Sequence, residues 1–174
     1  MATAVPTTVT GNVLWHVTMS LDGFIAGRGD SMDWMSPYIG PNSAVDAVLA
    51  SIGAVVMGRR SYDVDKPYGG ILQVPVFVLT HNPGVADDAP EPSGTTFGSG
   101  DIGPAVARAL DVAAGKNVAI IGASIARQCV GAGLVDELLV HLVPVLLGNG
   151  VRLFERATGP VVEFSPVGMS SAGE

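Results

Sequence analysis

Two short segments place a glycine and a serine hydroxyl directly after apolar runs, the first with two arginines between them, a combination that could bind phosphate. The first is residues 57–61, in which Gly58 is followed by Arg59, Arg60 and Ser61. Glycine lets the backbone turn and approach a ligand closely. A helical turn that starts at Arg59 would point free N–H groups at a phosphate, and arginine suits bidentate phosphate contacts. A solvated basic turn is the alternative interpretation.

The second segment is residues 121–125, where a buried strand again meets a glycine and then a helix. It lacks the complete glycine-rich dinucleotide fingerprint, so alone it is a weak signal. A third apolar run ends in the same manner at Leu79. Because ligands of open α/β sheets bind outside the carboxyl ends of the strands, the three junctions together predict a site for a phosphorylated dinucleotide. The residues concerned are Gly58, Arg59, Arg60, Ser61, Leu79, Thr80, His81, Gly122, Ala123, Ser124 and Ile125.

Three carboxylates near the first strand could donate a proton to a substrate. Asp22 lies in an Asp-Gly turn, where local hydrogen bonding to the backbone is its commonest role. Asp33, beside Trp34, lies in an irregular stretch and could face a substrate. Asp46 lies on a predicted helix and is expected to face solvent. Asp33 and Asp46 are the candidate catalytic acids.

The histidines and the cysteine in apolar segments are expected to be structural. His16 and His141 lie within apolar strands, where satisfied core histidines are common, and neither has a second ligand at metal spacing. We therefore predict no metal site. Cys129 is surrounded by apolar residues with nothing nearby to activate its thiol, and as the single cysteine it forms no intrachain disulfide.

Strands and helices alternate along the predicted chain, which indicates a largely parallel sheet with helices on both faces. Asn42 or Ser43 is expected to cap the first helix, whose face of Val45, Val48, Leu49 and Ile52 should be buried, and Asp101 to cap a later one. One domain over residues 12–166 is expected, between a flexible tail at 1–11 and a second tail at 167–174. The predicted strands are residues 13–19, 54–57, 74–79, 118–121, 138–143 and 161–164, and the predicted helices are 42–51, 60–64, 102–114 and 124–130, with a loop at 81–94.

Bulk composition excludes several classes of protein. The 174 residues are 48% hydrophobic and 14% charged, with a mean hydropathy of +0.43. The longest apolar stretch, residues 134–147, is interrupted by Asp136, Glu137, His141 and Pro144, so it is not a spanning helix. The net charge of −7 argues against nucleic-acid binding. The N-terminal residues do not resemble a signal peptide, so a cytoplasmic location is expected.

Several motifs together resemble the dihydrofolate-reductase-like family, and more closely the C-terminal reductase domain of the bifunctional riboflavin-biosynthesis deaminase–reductase. The Ser-Leu-Asp-Gly and Leu-Val-Asp-Glu-Leu segments are fairly specific, whereas Met-Gly-Arg is shared with dihydrofolate reductases themselves. The resemblance covers residues 13–164. It rests on residues 17–26, the Asp33-Trp34 pair, residues 57–62, and residues 131–138 leading to 144–150.

The resemblance implies a three-layer α/β/α fold with a central mixed, mostly parallel sheet of about eight strands. It also implies NADPH as cofactor, hydride transfer to a small substrate, and a homodimer. The nicotinamide would lie near the end of the first strand, around residues 17–26, with residues 27–41 closing over the substrate. A dihydrofolate reductase carries an acidic residue on its first helix, for which this chain offers only Asp46. Family members often continue into another strand, which residues 168–174 are too small and polar to replace.

The leading hypothesis is an NADPH-dependent reductase acting on a riboflavin-pathway pyrimidine or a pterin or folate type of substrate. The alternative is a protein that binds NADPH without catalytic turnover. A flavin-like cofactor in the same cleft is a third possibility, because such rings also need an apolar slot and a phosphate site.

Overall fold

The computed structural model describes residues 11–65, 73–82, 94–155 and 161–170. Residues 28–30 and 33–38 form two 3₁₀ turns between the second strand and the first helix. The strands are β1 (Val13–Ser20), β2 (Phe24–Ala26), β3 (Ile52–Gly58), β4 (Val76–Leu79), β5 (Thr95–Gly98), β6 (Asn117–Ile121), β7 (Glu137–Val143) and β8 (Val151–Arg152). The helices are α1 (Ser43–Ser51), α2 (Arg59–Asp65), α3 (Ile102–Val112) and α4 (Ala123–Gly131).

Six strands form a parallel sheet in the order β5-β4-β3-β6-β1-β7. The central strands β3 and β6 are continuous apolar runs, as expected for strands covered on both faces. From β3 the chain first adds β4 and β5 on one side and then β6 on the other. The strand order therefore reverses between β3 and β6, which is where open α/β sheets bind ligands.

Helices cover both faces of this sheet, which gives three layers. On one face Val56 and Ile120 pack with Val106 of α3 and Ile125 of α4. On the other face, Val55 and Met57 of β3 pack with Leu49 of α1 and Tyr62 of α2. The predicted α/β class with a mostly parallel central sheet is confirmed. No helix in the described ranges is long and apolar enough to span a membrane.

A separate antiparallel pair, β2 with β8, joins the region after β1 to the region after β7. The side chain of Asp22 also connects these two regions. It accepts hydrogen bonds from the backbone N–H groups of Leu147 (3.1 Å) and Gly148 (2.7 Å). The buried Ser20 hydroxyl donates to Asp22 over 2.7 Å and accepts from the N–H of Phe24. The local hydrogen-bonding role expected for Asp22 is confirmed, and it also reaches a distant loop.

Several predicted details of the fold are wrong. Residues 161–164 form no strand, since residues 161–170 have no regular secondary structure, are exposed, and have no sheet partner among the described residues. The main sheet has six described strands rather than eight, and its pairs are all parallel. Asp101 precedes α3 without a side-chain cap, whereas Asn42 caps α1 as predicted.

The predicted buried face of α1 is also wrong. Val45, Val48 and Leu49 are only half-buried, and Ile52 already belongs to β3. Strands β2, β5 and β8 were not predicted. Residues 1–10, 83–93 and 171–174, which hold most of the predicted tails and of the loop at 81–94, lie outside the described residues.

Candidate functional site

A cavity opens where β1 extends beyond the end of β6. The two strands pair only from Val13 to Trp15 on β1, whereas β1 continues to pair with β7 as far as Ser20. β6 ends at Ile121, one residue past the partner of Trp15, so the carboxyl half of β1 extends beyond the end of β6. The resulting cavity has a volume of about 580 Å³, within the range of small-molecule and cofactor sites.

The three junctions singled out in the sequence all line this cavity. Parallel strands bring the ends of β3, β4 and β6 to one edge of the sheet, so residues far apart in the chain meet there. Val17 and Ala26, which are expected to lie near the nicotinamide, line it as well. The full predicted set is Val17, Ala26, Gly58, Arg59, Arg60, Ser61, Leu79, Thr80, His81, Gly122, Ala123, Ser124 and Ile125.

The two junction glycines differ in how much space their surroundings leave for a side chain. Gly122 precedes α4 with a φ of 92°, which side chains rarely adopt, and a Cβ there would overlap the Ser61 Oγ. No side chain caps α4 at Gly122, so the backbone itself forms the start of the helix at the cavity wall. A Cβ on Gly58 would only make ordinary contact with Ile125, at 3.6 Å. Close packing of α2 against α4 therefore depends on Gly122.

Both arginines of the first junction are held by carboxylates. The Nε of Arg59 donates to Asp63 over 2.7 Å, and its guanidinium lies 5.7 Å from the Phe97 ring centroid. The Nη2 of Arg60 donates to both carboxylate oxygens of Asp30 at 2.6 Å. This hydrogen bond raises the pKa of Arg60. Asp30 also lines the cavity, with a positive φ of 62° that is uncommon outside glycine.

A histidine pair links the carboxyl half of β1 to β7. His16 lines the cavity, and its Nε2 is 2.6 Å from the Nε2 of His141 on β7. Burial, and secondarily the neighbouring His141, lower the pKa of His16 to about 4, and burial lowers that of His141. Both rings are half-buried rather than core residues. The sequence prediction missed this pair because 125 residues separate its members.

A family model and several solved structures match this arrangement. Residues 104–173 match the model of the RibD C-terminal domain. A protein from Shewanella sp. PV-4 assigned to riboflavin biosynthesis superposes with a TM-score of 0.73, at 24% identity over 86% of each chain. Dihydrofolate reductase from Enterococcus faecalis, complexed with NADP(H), superposes with a TM-score of 0.58 at 17% identity, over 85% of this chain and 80% of its own. The fold is dihydrofolate-reductase-like.

Further relatives support the same resemblance. A Thermotoga maritima deaminase and 5-amino-6-(5-phosphoribosylamino)uracil reductase has this dihydrofolate-reductase-like fold over 87% of the present chain and 51% of its own. Its TM-score is 0.58 at 13% identity. Two Bacillus subtilis (strain 168) proteins, YwjB and YyaP, are each 27% identical to this chain over 82% of its length. The matched regions cover 82% of YwjB and 79% of YyaP. The dihydrofolate-reductase-like resemblance seen in the sequence is confirmed, and the neighbouring structures of stated activity are reductases.

The two predicted acids do not line the cavity. Asp46 is exposed on α1, and Asp33 is exposed and accepts a hydrogen bond from the Ser31 hydroxyl over 3.1 Å. Neither is among the described residues that line the cavity. Asp22 is also unsuitable as a proton donor at neutral pH, because hydrogen bonds from Ser20 and from the backbone lower its pKa to about 2.

Other residues of the wall are not among the site residues named from the sequence, although some lie within residues 17–41. The carboxyl half of β1 contributes His16 and Thr18, and the first 3₁₀ turn contributes Asp30. Cys129 is fully buried, and burial raises the pKa of its thiol to about 11, so the expectation of an inert cysteine is confirmed. The remaining lining residues that the sequence prediction omitted are Trp15, Ile25, Met32, Met35, Val64, Gly100, Arg127, Gln128 and Val151.

Proposed function

We propose that the protein is an NADPH-dependent reductase. Its substrate would be a small heterocyclic or carbonyl compound of the riboflavin-pathway pyrimidine or the pterin and folate type. The observation that carries this proposal is the convergence of three strand-end junctions on one cavity in a dihydrofolate-reductase-like fold. The NADP(H) bound by the Enterococcus faecalis enzyme and the reductase activity named for the Thermotoga maritima protein support the same cofactor and reaction class.

The residues of the cavity suit a phosphorylated dinucleotide. Gly122 leaves the start of α4 bare, where close approach of a pyrophosphate needs backbone rather than side chain. Arg59 and Arg60 supply positive charge in a chain of net charge −7. The apolar wall near Val17 and Ala26 suits the nicotinamide end. Bound NADPH supplies the hydride, and the protein orients both reactants, excludes water and supplies a proton.

A phosphate would compete with Asp30 for Arg60. The ion pair is solvent-exposed, with 77% of the Arg60 side chain accessible, so exchanging its partner costs little free energy. We expect Asp30→Asn to tighten NADPH binding, by at most about fivefold. The pair also links α2 to the segment of residues 27–41, so cofactor binding would change how that segment is held.

The test is titration of NADPH and NADH against the protein and an Arg59→Ala/Arg60→Ala variant. Charge-assisted hydrogen bonds contribute about 1.5–3 kcal/mol, so NADPH affinity should fall roughly 10- to 100-fold while NADH affinity changes little. Arg108→Ala is the matched control, because Arg108 stacks on Phe77 at 5.8 Å and does not line the cavity. Equal millimolar binding of both nucleotides by the unmodified protein would contradict the assignment.

One observation favours a second candidate, a protein that binds NADPH or a flavin-like cofactor without turnover. Among the described lining residues, Asp30 is the one carboxylate, and it is paired with Arg60. Turnover is measured as NADPH oxidation with dihydrofolate, with a ribityl aminopyrimidine and with a quinone. Tight binding without oxidation of NADPH by any of them would support the binding protein over the reductase.

A further inference from the structure

The register of β1 against β7 brings two distant imidazoles together. Thr18 pairs with His141 and His16 pairs with Leu139, and paired residues of neighbouring strands point to the same face. His16 and His141 are therefore diagonal neighbours on one face. Their ring centroids are 4.8 Å apart, with an interplanar angle of 67°, and the two Nε2 atoms are 2.6 Å apart.

Two nitrogen atoms at this separation share a single hydrogen. One Nε2 must carry it and the other must accept it, so the two neutral rings are opposite tautomers. If His141 donates, His16 is protonated at Nδ1 instead of Nε2. If His16 donates instead, His16 is protonated at Nε2 and His141 is protonated at Nδ1. The depressed pKa of both rings agrees with a neutral pair at pH 7.

The pair connects the cavity to the edge of the sheet. His16 lies in the half of β1 that has no pairing with β6, and it lines the cavity, whereas β7 is the outermost strand on that side. The other histidine of the wall, His81, follows β4, three strands away from β1. The charged lining residues are Asp30 and Arg60, which pair with each other, Arg59, which pairs with Asp63, and Arg127, which pairs with Glu155 at 3.7 Å.

We propose that His16 and His141 form a proton relay that carries a proton from solvent at the β7 edge to the substrate in the cavity. This inference rests on the proposed reductase function. Reduction of a C=N or C=O bond consumes one hydride, supplied by NADPH, and one proton. His16 donates its Nδ1 proton to the substrate heteroatom, and its Nε2 takes the shared proton from His141. The Nδ1 of His141 then takes a proton from water.

The arrangement gives a neutral imidazole a route to act as an acid. A lone His16 that lost its Nδ1 proton would be left as an unfavourable imidazolate anion, whereas transfer from His141 keeps the ring neutral throughout. After product leaves, His16 Nδ1 takes a proton from water in the cavity, the shared proton returns from His16 Nε2 to His141 Nε2, and His141 Nδ1 releases a proton to solvent, which restores both tautomers. The relay also explains how a cavity whose one described carboxylate is ion-paired could supply the proton.

The first test is nitrogen NMR of the ligand-free protein labelled with ¹⁵N-histidine. We expect His16 protonated at Nδ1 and His141 protonated at Nε2. His141→Gln should keep the His16 tautomer, because a glutamine amide still donates to its Nε2, whereas His141→Leu should release His16 to a different tautomer mixture. The same tautomer in both rings, or unchanged His16 signals in His141→Leu, would overturn the relay.

The second test is the rate of NADPH oxidation with whichever acceptor the unmodified protein reduces. We expect His141→Gln to lower kcat about 100-fold, the lower end of general acid catalysis, and to leave KM unchanged. The solvent deuterium isotope effect should rise as proton delivery becomes limiting. Val112→Gln is the control, because Val112 lies at the end of α3, is 45% exposed and is not among the described residues that line the cavity.

The outcomes separate the relay from the reductase function. A His141→Gln protein with the unmodified kcat overturns the relay and leaves the reductase function standing. No oxidation with any acceptor overturns the reductase function, and with it the delivery step, whatever tautomers NMR finds.

Discussion

Gly122→Ala should destabilise the protein far more than Gly58→Ala, although both glycines end a strand beside the same cavity. At Gly122 the φ of 92° penalises any side chain, at a cost of about 1–3 kcal/mol. The added methyl also overlaps the Ser61 Oγ, and turning that hydroxyl away costs about 0.5–1.5 kcal/mol. The sum is about 2–4 kcal/mol. Gly58→Ala meets Ile125 at ordinary contact distance and should change stability by less than about 1 kcal/mol.

Thermal and urea unfolding of the two variants measure this difference. For a chain of this size, about 1 kcal/mol corresponds to roughly 2–4 °C in Tm, so Gly122→Ala should melt about 4–16 °C lower than the unmodified protein. Adding Ser61→Gly should recover the steric part and leave the backbone strain. Equal Tm values for Gly122→Ala and Gly58→Ala would refute the reasoning.

Two further predictions concern the region around β7. The pKa of Asp22 is about 2 in the folded protein and higher in the unfolded chain, so its contribution to stability is present above about pH 4. It is lost as the pH falls towards 2. Asp22→Asn should lower the urea midpoint at pH 7 and flatten this acid dependence; an unaltered profile would contradict the role. We also propose a homodimer, since Leu142 and Leu146 are 57% and 75% exposed. Light scattering should then give twice the 17.7 kDa chain mass, and a single-chain mass at micromolar concentration would exclude it.

The strands with a strong local signal could be predicted from the sequence. β3, β4 and β6 are continuous apolar runs that end in glycine or polar residues, and each lies where the pattern indicates. β2 and β8 have only three and two residues, and they are strands because they pair with each other across the chain. The run at residues 161–164 is apolar enough for a strand, but no described strand pairs with it.

The site was predictable to the extent that it is local. The glycine at a strand end, followed by arginine or serine, is visible in a few consecutive residues, and all such segments met in one cavity. The histidine pair depends on the register of β1 against β7, which no single segment encodes. Residue type and position in the sequence indicate that Asp33 and Asp46 could act as acids near the first strand. Whether their side chains reach the cavity depends on how α1 and the 3₁₀ turns pack, which the sequence alone does not show.

The position of β1 between β6 and β7 has a consequence for synthesis of the chain. In β1, the earliest described strand, Val13 pairs with Val118 of β6 and Leu14 pairs with Glu137 of β7. β1 therefore stays without its full set of partners until both of those strands have been translated. At about 5–20 residues per second, that wait is on the order of 10 s. An apolar strand that carries Trp15 is exposed throughout it. The nascent chain therefore exposes this apolar strand until then, and the cavity cannot form before β6 and β7 have been translated.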